Sequence, residues 1–215
     1  MLTIFTRRPE LVVATAATII FALAAALGGP GAIADVDAIQ WLGAARAANA
    51  QLTAVAIAIT AAGGAPAMTA ILFGAMAILA YRHRLRLGLA LGMIVVGGRI
   101  AVELLKLAID RQRPQFGPYP VEVASLSFPS GHAANSMITF LALALIATPA
   151  RYRGKAVAAA VSLSVVIGAT RPLLGVHWPS DVIGGWAFGV AWVTALNLLV
   201  KQQHEVVGGH RPAID

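Results

Sequence analysis

Six stretches of this chain carry few or no charges over about the length of a membrane crossing: 11–28, 65–81, 87–107, 133–150, 156–170 and 182–200. A helix needs about 20 mostly apolar residues to cross the hydrocarbon core of a bilayer. Charged residues make up only 12% of the chain and apolar ones 59%, where soluble domains carry about 25% charged residues. A soluble globule of 215 residues could not hide that much apolar surface and still cover itself with polar groups. Disordered and nucleic-acid-binding chains are polar, so no nucleic-acid partner is expected. The sequence therefore predicts an all-α, polytopic membrane helix bundle, read as one integral-membrane domain over 1–215. The fifth stretch is short and must extend at one end or sit where the bilayer thins. Arg7 and Arg8 before the first stretch resemble a signal peptide, but the apolar run is longer than the usual h-region, so an uncleaved first span is expected.

The segment 35–60 reads differently. Asp35, Asp37, Gln40, Arg46, Asn49 and Gln51 interrupt its alanine-rich pattern, and Gly63, Gly64 and Pro66 close it. It fits a helix lying at the membrane surface with Trp41 toward lipid, or a polar-lined seventh crossing. The distribution of Lys and Arg chooses between them. With six spans, ten of the sixteen cations share one side: Arg7, Arg8, Arg82, Arg84, Arg86, Arg151, Arg153, Lys155, Lys201 and Arg211. A seventh span would scatter these loops to both sides. Six transmembrane helices plus an interfacial helix between the first and second follow, with both termini cytoplasmic.

The remaining cations, Arg46, Arg99, Lys106, Arg111, Arg113 and Arg171, need another reason. Three polar motifs account for most of them. In 106–114, KLAIDRQRP, Lys106 and Arg113 are seven apart, which puts both on one helix face until Pro114 stops the helix. Two such cations suit an anion, or snorkel to lipid headgroups. In 127–132, SFPSGH, Pro129 and Ser130 signal a helix start and Gly131 lets a ligand approach the backbone. Free N–H groups at a helix N-terminus bind phosphate, with His132 beside them; the plainer reading is a capped helix with an interfacial histidine. In 170–181, TRPLLGVHWPSD, Asp181 sits four residues after His177. Its carboxylate can fix the imidazole tautomer and free the other nitrogen as base or nucleophile, or merely cap the helix. Arg171 adds a forked donor for phosphate oxygens.

Six-span topology brings all three motifs to the non-cytoplasmic side. Two histidines, an aspartate and three cations there, in a chain without cysteine, point to phosphoryl chemistry. Inside the third span, Arg99 and Glu103 are four apart. They read as a mutually neutralising pair, with Glu103 supporting Lys106 as the sharper alternative.

The motifs resemble those of the phosphatidic-acid phosphatase type 2 superfamily, K-x6-RP, PSGH and SR-x5-H-x3-D. Lys106 to Pro114 matches the first and Pro129 to His132 the second. Arg171, His177 and Asp181 match the third, with Thr170 in place of the usual serine. The resemblance implies a lipid phosphatase that forms a phosphohistidine on His177, oriented by Asp181. His132 would protonate the leaving oxygen and then activate water. Lys106, Arg113, Ser130, Gly131 and Arg171 would bind the phosphate. Neighbouring cations oppose a proton on His132 and bound phosphate favours it. No metal and no cofactor are implied. The expected partners are membrane lipids and a lipid phosphate or diphosphate: phosphatidic acid, phosphatidylglycerol phosphate or undecaprenyl diphosphate. The loop from 114 to 128, with Phe116, Tyr119 and Phe128, shapes the entry or packs at the interface. A short Ala- and Gly-rich chain suits a bacterial inner membrane, with the site on its periplasmic face. Rival readings are a lipid phosphotransferase, a transporter-like protein without enzymatic activity, and the chemistry of the related vanadium haloperoxidases, which are soluble and much larger.

Overall fold

A computed structural model describes residues 9–123 and 125–208. Its regular structure is helical throughout the described residues: α1 (Pro9–Leu27), α2 (Ile33–Ala48), α3 (Ala50–Ala61), α4 (Ala65–Tyr81), α5 (Leu85–Ile109), α6 (Gly131–Ala142), α7 (Ala150–Leu173) and α8 (Pro179–Gly208). A π-helical turn, Leu143–Ala147, prolongs α6. Five described helical stretches are long and apolar enough to cross a membrane, and the apolar stretch Gly131–Ala147 is shorter. The expected apolar runs thus reappear as α1, α4, α5, α6 with its π turn, α7 and α8. The fifth gains residues at both ends and reaches 24, which removes the need for a thinned bilayer. α8 runs on past the apolar stretch to Gly208. Arg7, Arg8 and Arg211 lie outside the described residues.

The expected single helix over 35–60 is two helices. Asn49 adopts an extended conformation between them, and its side chain accepts from Leu52 N–H at 3.0 Å, capping α3. This is the preferred role of asparagine at a helix start, and it turns the chain without a glycine. Trp41 is exposed, whereas Asp35 is buried and faces the start of α8.

The core lies where α4, α5, α6 and α8 meet. Leu72, Leu91, Val95, Val102, Ile138 and Val193 are almost wholly enclosed there. Large apolar residues such as Phe73, Met93, Ile100, Leu104 and Leu107 point outward, the arrangement that suits a lipid surround. α1 lies along α8, and α6 packs between α7 and α8. Close approach of α6 and α8 depends on two glycines four residues apart. A Cβ at Gly185 would fall 2.8 Å from Ser130 O, and one at Gly189 would fall 2.7 Å from Met137 Cβ. Small residues at this spacing let membrane helices bring their backbones together. Here they seat the second and third turns of α8 against the first two turns of α6, and the second and third motifs meet.

Candidate active site

The first motif reaches its place by a different path from the one its spacing predicts. α5 ends at Ile109, and Asp110 takes a left-handed conformation (φ 50°) that closes the helix with an N–H bond to Lys106 O. Asp110 therefore turns the chain four residues before Pro114, so Arg113 does not share a helix face with Lys106. The two cations converge because the chain doubles back to Ser125. Lys106 Nζ donates to Ser125 Oγ at 3.0 Å, and Arg113 Nε donates to Ser125 O at 2.7 Å. Lys106 also pairs with Glu103 at 3.0 Å, while Arg99 donates to Thr69 Oγ1 at 2.8 Å. The expected Arg99–Glu103 neutralisation is thus replaced by a Glu103–Lys106 pair, the sharper of the two expectations.

The second motif forms the start of α6. Ser130 occupies the N-cap position with no side-chain cap bond, and its buried hydroxyl has no partner among the described residues. Its amide donates to Asp181 O at 3.0 Å, tying this turn to α8. Gly131 sits where a Cβ would lie 3.3 Å from Lys106 Nζ, so a side chain there would press on the lysine head.

In the third motif, Pro179 opens α8 at a position where its missing N–H costs nothing. Asp181 Oδ2 accepts from the backbone N–H of Trp178 at 2.9 Å and from His177 Nδ1 at 3.3 Å, and it takes the Ser127 hydroxyl as well. The carboxylate is therefore both helix cap and imidazole partner, so the two readings of the sequence describe one group. Its bond to Nδ1 turns Nε2 toward Arg113, whose Nη1 lies 3.0 Å away and also donates to Val176 O at 2.5 Å. Burial pulls the His177 imidazole down to about 4, with Arg113 acting in the same direction and the Asp181 hydrogen bond opposing. The ring is accordingly neutral at neutral pH. Burial also lowers Arg113 from its ordinary value, opposed by Asp181, without threatening its charge.

Arg171 lies at the end of α7, buried, with Nη1 donating to Thr60 Oγ1 of α3 at 2.8 Å. Its Nε is buried and has no partner among the described residues. Thr170, the one departure from the family pattern, bonds back to Ile167 O at 2.6 Å. That explains why another hydroxyl residue serves there.

A cavity of about 230 Å³ joins these groups. Lys106, Arg113, Gly131, His132, Arg171 and His177 all line it. Of the eight residues expected from the motifs, only Ser130 and Asp181 stand behind its wall. Gly63 and Ala65, from the α3–α4 turn, close one side beside His132, and Ser125, Asn135 and the carboxylates of Glu103 and Glu122 complete the polar lining. The aromatic residues of the 114–128 loop divide. Phe128 is wholly buried beneath Arg111, so it does not shape an entry. Phe116 and Tyr119 line a separate hollow of about 620 Å³ against α2. Residues without a motif signal are Thr60, Ser125, Ser127, Asn135 and Arg111. Ser127 and Arg111 lie inside quoted motifs, but at positions where the family pattern accepts any residue or none is specified.

Comparison with known proteins gives the same organisation. Residues 85–205 match the PAP2 superfamily. A lipid A 1-phosphatase of Rhizobium johnstonii is 40% identical over 123 residues, 53% of this chain and 48% of that protein. Phosphatidylglycerophosphatase B of Bacillus subtilis is 32% identical over 108 residues, 48% of this chain and 53% of that protein. An undecaprenyl-diphosphatase of Sulfolobus acidocaldarius is 26% identical over 132 residues, 58% of this chain and 60% of that protein. These alignments span about half the length of the first two relatives and somewhat more of the third. The crystal structure of a transmembrane PAP2 type phosphatidylglycerolphosphate phosphatase from Bacillus subtilis shares the fold, with a TM-score of 0.70 at 24% identity over 90% of this chain and 96% of that one. Its fold and the apolar helices make this chain an integral membrane protein. With more than half of its residues matched to the family, and with all three motifs on the matched segment, the chain belongs to the PAP2 superfamily.

Proposed function

We propose that this protein is a membrane lipid phosphatase that hydrolyses a lipid phosphomonoester or diphosphate through a phosphohistidine on His177. The observation that carries this reading is a buried imidazole with Nδ1 on Asp181, in a cavity that it shares with His132 and three cations. Nε2 attacks phosphorus as the bond to the lipid oxygen breaks, and His132 gives that oxygen its proton. Lys106, Arg113, Arg171 and the Gly131 amide receive the non-bridging oxygens, with the free Ser130 hydroxyl beside them. Phosphoryl transfer is mostly such positioning and charge stabilisation. Arg113 must give up its bond to Nε2 for a phosphate oxygen, so substrate itself frees the nucleophile. His132 then takes a proton from water as the water attacks phosphorus. The P–N bond breaks and inorganic phosphate leaves.

Cavity size argues for a lipid substrate. About 230 Å³ is roughly eight water volumes, below the range of about 300–1,000 Å³ for pockets that enclose a whole small ligand. Only the phosphoryl group is gripped, and the rest of the substrate stays in the membrane. Relatives named for lipid A, phosphatidylglycerol phosphate and undecaprenyl diphosphate share that element and differ in the rest. From the clustering of Lys and Arg on one side of a six-span reading we infer that both termini are cytoplasmic and that the cavity opens on the periplasmic face of a bacterial inner membrane, with α2 at that surface.

The test is phosphate release by purified protein from a panel of these lipids with EDTA present. Release from at least one lipid is expected, with acid-labile, base-stable phosphate trapped on the wild-type chain, and His177→Ala loses both. Undiminished release by His177→Ala, or phosphate recovered on an acceptor lipid instead of in solution, overturns the assignment.

A further inference from the structure

The role given to His177 depends on a carboxylate that its own motif does not hold in place. Asp181 Oδ2 serves His177, Trp178 and Ser127, while Oδ1 meets Arg111 Nη1 at 2.9 Å. The same nitrogen donates to Ser180 Oγ at 3.0 Å. Arg111 Nη2 donates to Ala24 O at 3.0 Å and Ala25 O at 2.6 Å, near the C-terminal end of α1. Those last-turn carbonyls have no partners within their helix and carry the negative end of its dipole, so a cation belongs there. The guanidinium carbon lies 4.3 Å from the centre of the Phe128 ring. Arg111 is buried and does not line the cavity, so it does not bind substrate. Beyond it, Ser180 passes its hydroxyl to Asp35, whose Oδ1 accepts Ser180 N–H at 3.0 Å and whose Oδ2 accepts Gly29 N–H at 2.6 Å.

We propose that Arg111 positions Asp181 for the reaction. It holds one carboxylate oxygen so that the other stays on His177 Nδ1 and Nε2 remains the reacting nitrogen; Asp35 steadies Arg111 through Ser180. The inference rests on the phosphohistidine reading above. Lysine is a poor substitute, because one ammonium cannot meet the carboxylate and both α1 carbonyls as a planar fork does.

The test measures kcat, KM and competitive inhibition by inorganic phosphate, the product, for Arg111→Gln, Arg111→Lys, Asp181→Asn and the Arg111→Gln/Asp181→Asn double variant. Partners that orient metal-ligating histidines are worth about 10- to 100-fold when lost, and a drop of that order is expected in kcat for Arg111→Gln, with an intermediate value for Arg111→Lys. KM and phosphate inhibition should stay within about twofold, since transition-state and ground-state binding separate in this way. The double variant should be no slower than Asp181→Asn alone, because both changes remove one function. Losses that multiply, or a phosphate affinity that falls in step with kcat, overturn the inference. If Arg111→Gln does not fold, Arg111→Lys decides by the same kcat-against-phosphate comparison. Undiminished release by His177→Ala would sink the phosphohistidine reading and this inference together. Abolished release with multiplying Arg111 and Asp181 losses would sink this inference alone.

Discussion

The segment matched to the family, α5 to α8, and the segment that precedes it, α1 to α4, serve one cavity in different ways. All eight residues expected from the motifs lie between 106 and 181, within the matched 85–205. The earlier helices supply what those residues lean on. Thr60 holds Arg171, the Gly63–Ala65 turn walls the side beside His132, and Asp35 and the carbonyls of Ala24 and Ala25 hold the group behind Asp181. Reacting groups must be particular side chains at particular spacings. Supporting groups need only present a donor or acceptor at the right point, and a backbone carbonyl serves as well as a serine. A bundle of this kind can therefore vary its first half widely while its chemistry stays legible in the second.

The sharpest way to break that comparison is to cut the Arg171–Thr60 contact from each end. In the proposed mechanism Arg171→Ala removes a donor to the transferred phosphoryl group, and such losses lower kcat by about 10²- to 10³-fold. Thr60→Val leaves the guanidinium in place and removes one bond to it, for which about a tenfold loss is expected from the net worth of a hydrogen bond to a charged group. Steady-state release from a detergent-solubilised lipid phosphate measures both. Equal losses would mean that α3 belongs to the chemistry and that the division is false.

A smaller effect sharpens the same division within the matched segment. Ser130 is wholly buried with a hydroxyl that bonds to nothing among the described residues, and a buried donor without a partner costs about 1–3 kcal/mol. Ser130→Ala should raise thermal stability, by about 1 kcal/mol, and lower activity several-fold. Supporting residues should behave oppositely, with Thr60→Val losing both. A Ser130→Ala variant that is less stable and fully active would show that the hydroxyl is structural.

Much of this was legible because the signals are of two strong kinds. Apolar runs of spanning length located six helices, and three motifs located eight residues, of which six line one cavity. What the sequence hid has physical causes. The break at Asn49 depends on a side-chain cap within an alanine-rich run whose periodicity continues on either side. Asp110 ends α5 through a left-handed turn that aspartate tolerates but does not announce, so Arg113 was placed on the wrong element yet in the right place. Asp35 looked like a polar mark on a surface helix because its partner, Ser180, lies 145 residues away. Arg111 sat inside a quoted motif, but at a position where the pattern accepts anything. Contacts of this range leave no local spacing to read.

The last prediction concerns pH. His177 titrates at about 4 in the folded protein against about 6.5 in an unfolded chain. Between those values the unfolded state binds a proton that the folded state refuses, so stability falls as pH drops from about 6.5 toward 4 and is insensitive to this group above and below that window. Activity should follow a different curve, because the nucleophile stays neutral, and therefore competent, across the same window. His177→Gln should flatten the stability slope by up to about one proton. Thr60→Val, which carries no titrating group and lies in the supporting helices, should leave it unchanged. Thermal unfolding in detergent at half-unit pH steps measures the difference. If His177→Gln keeps the wild-type slope, another group titrates there, and the imidazole is not the buried neutral base that the chemistry requires.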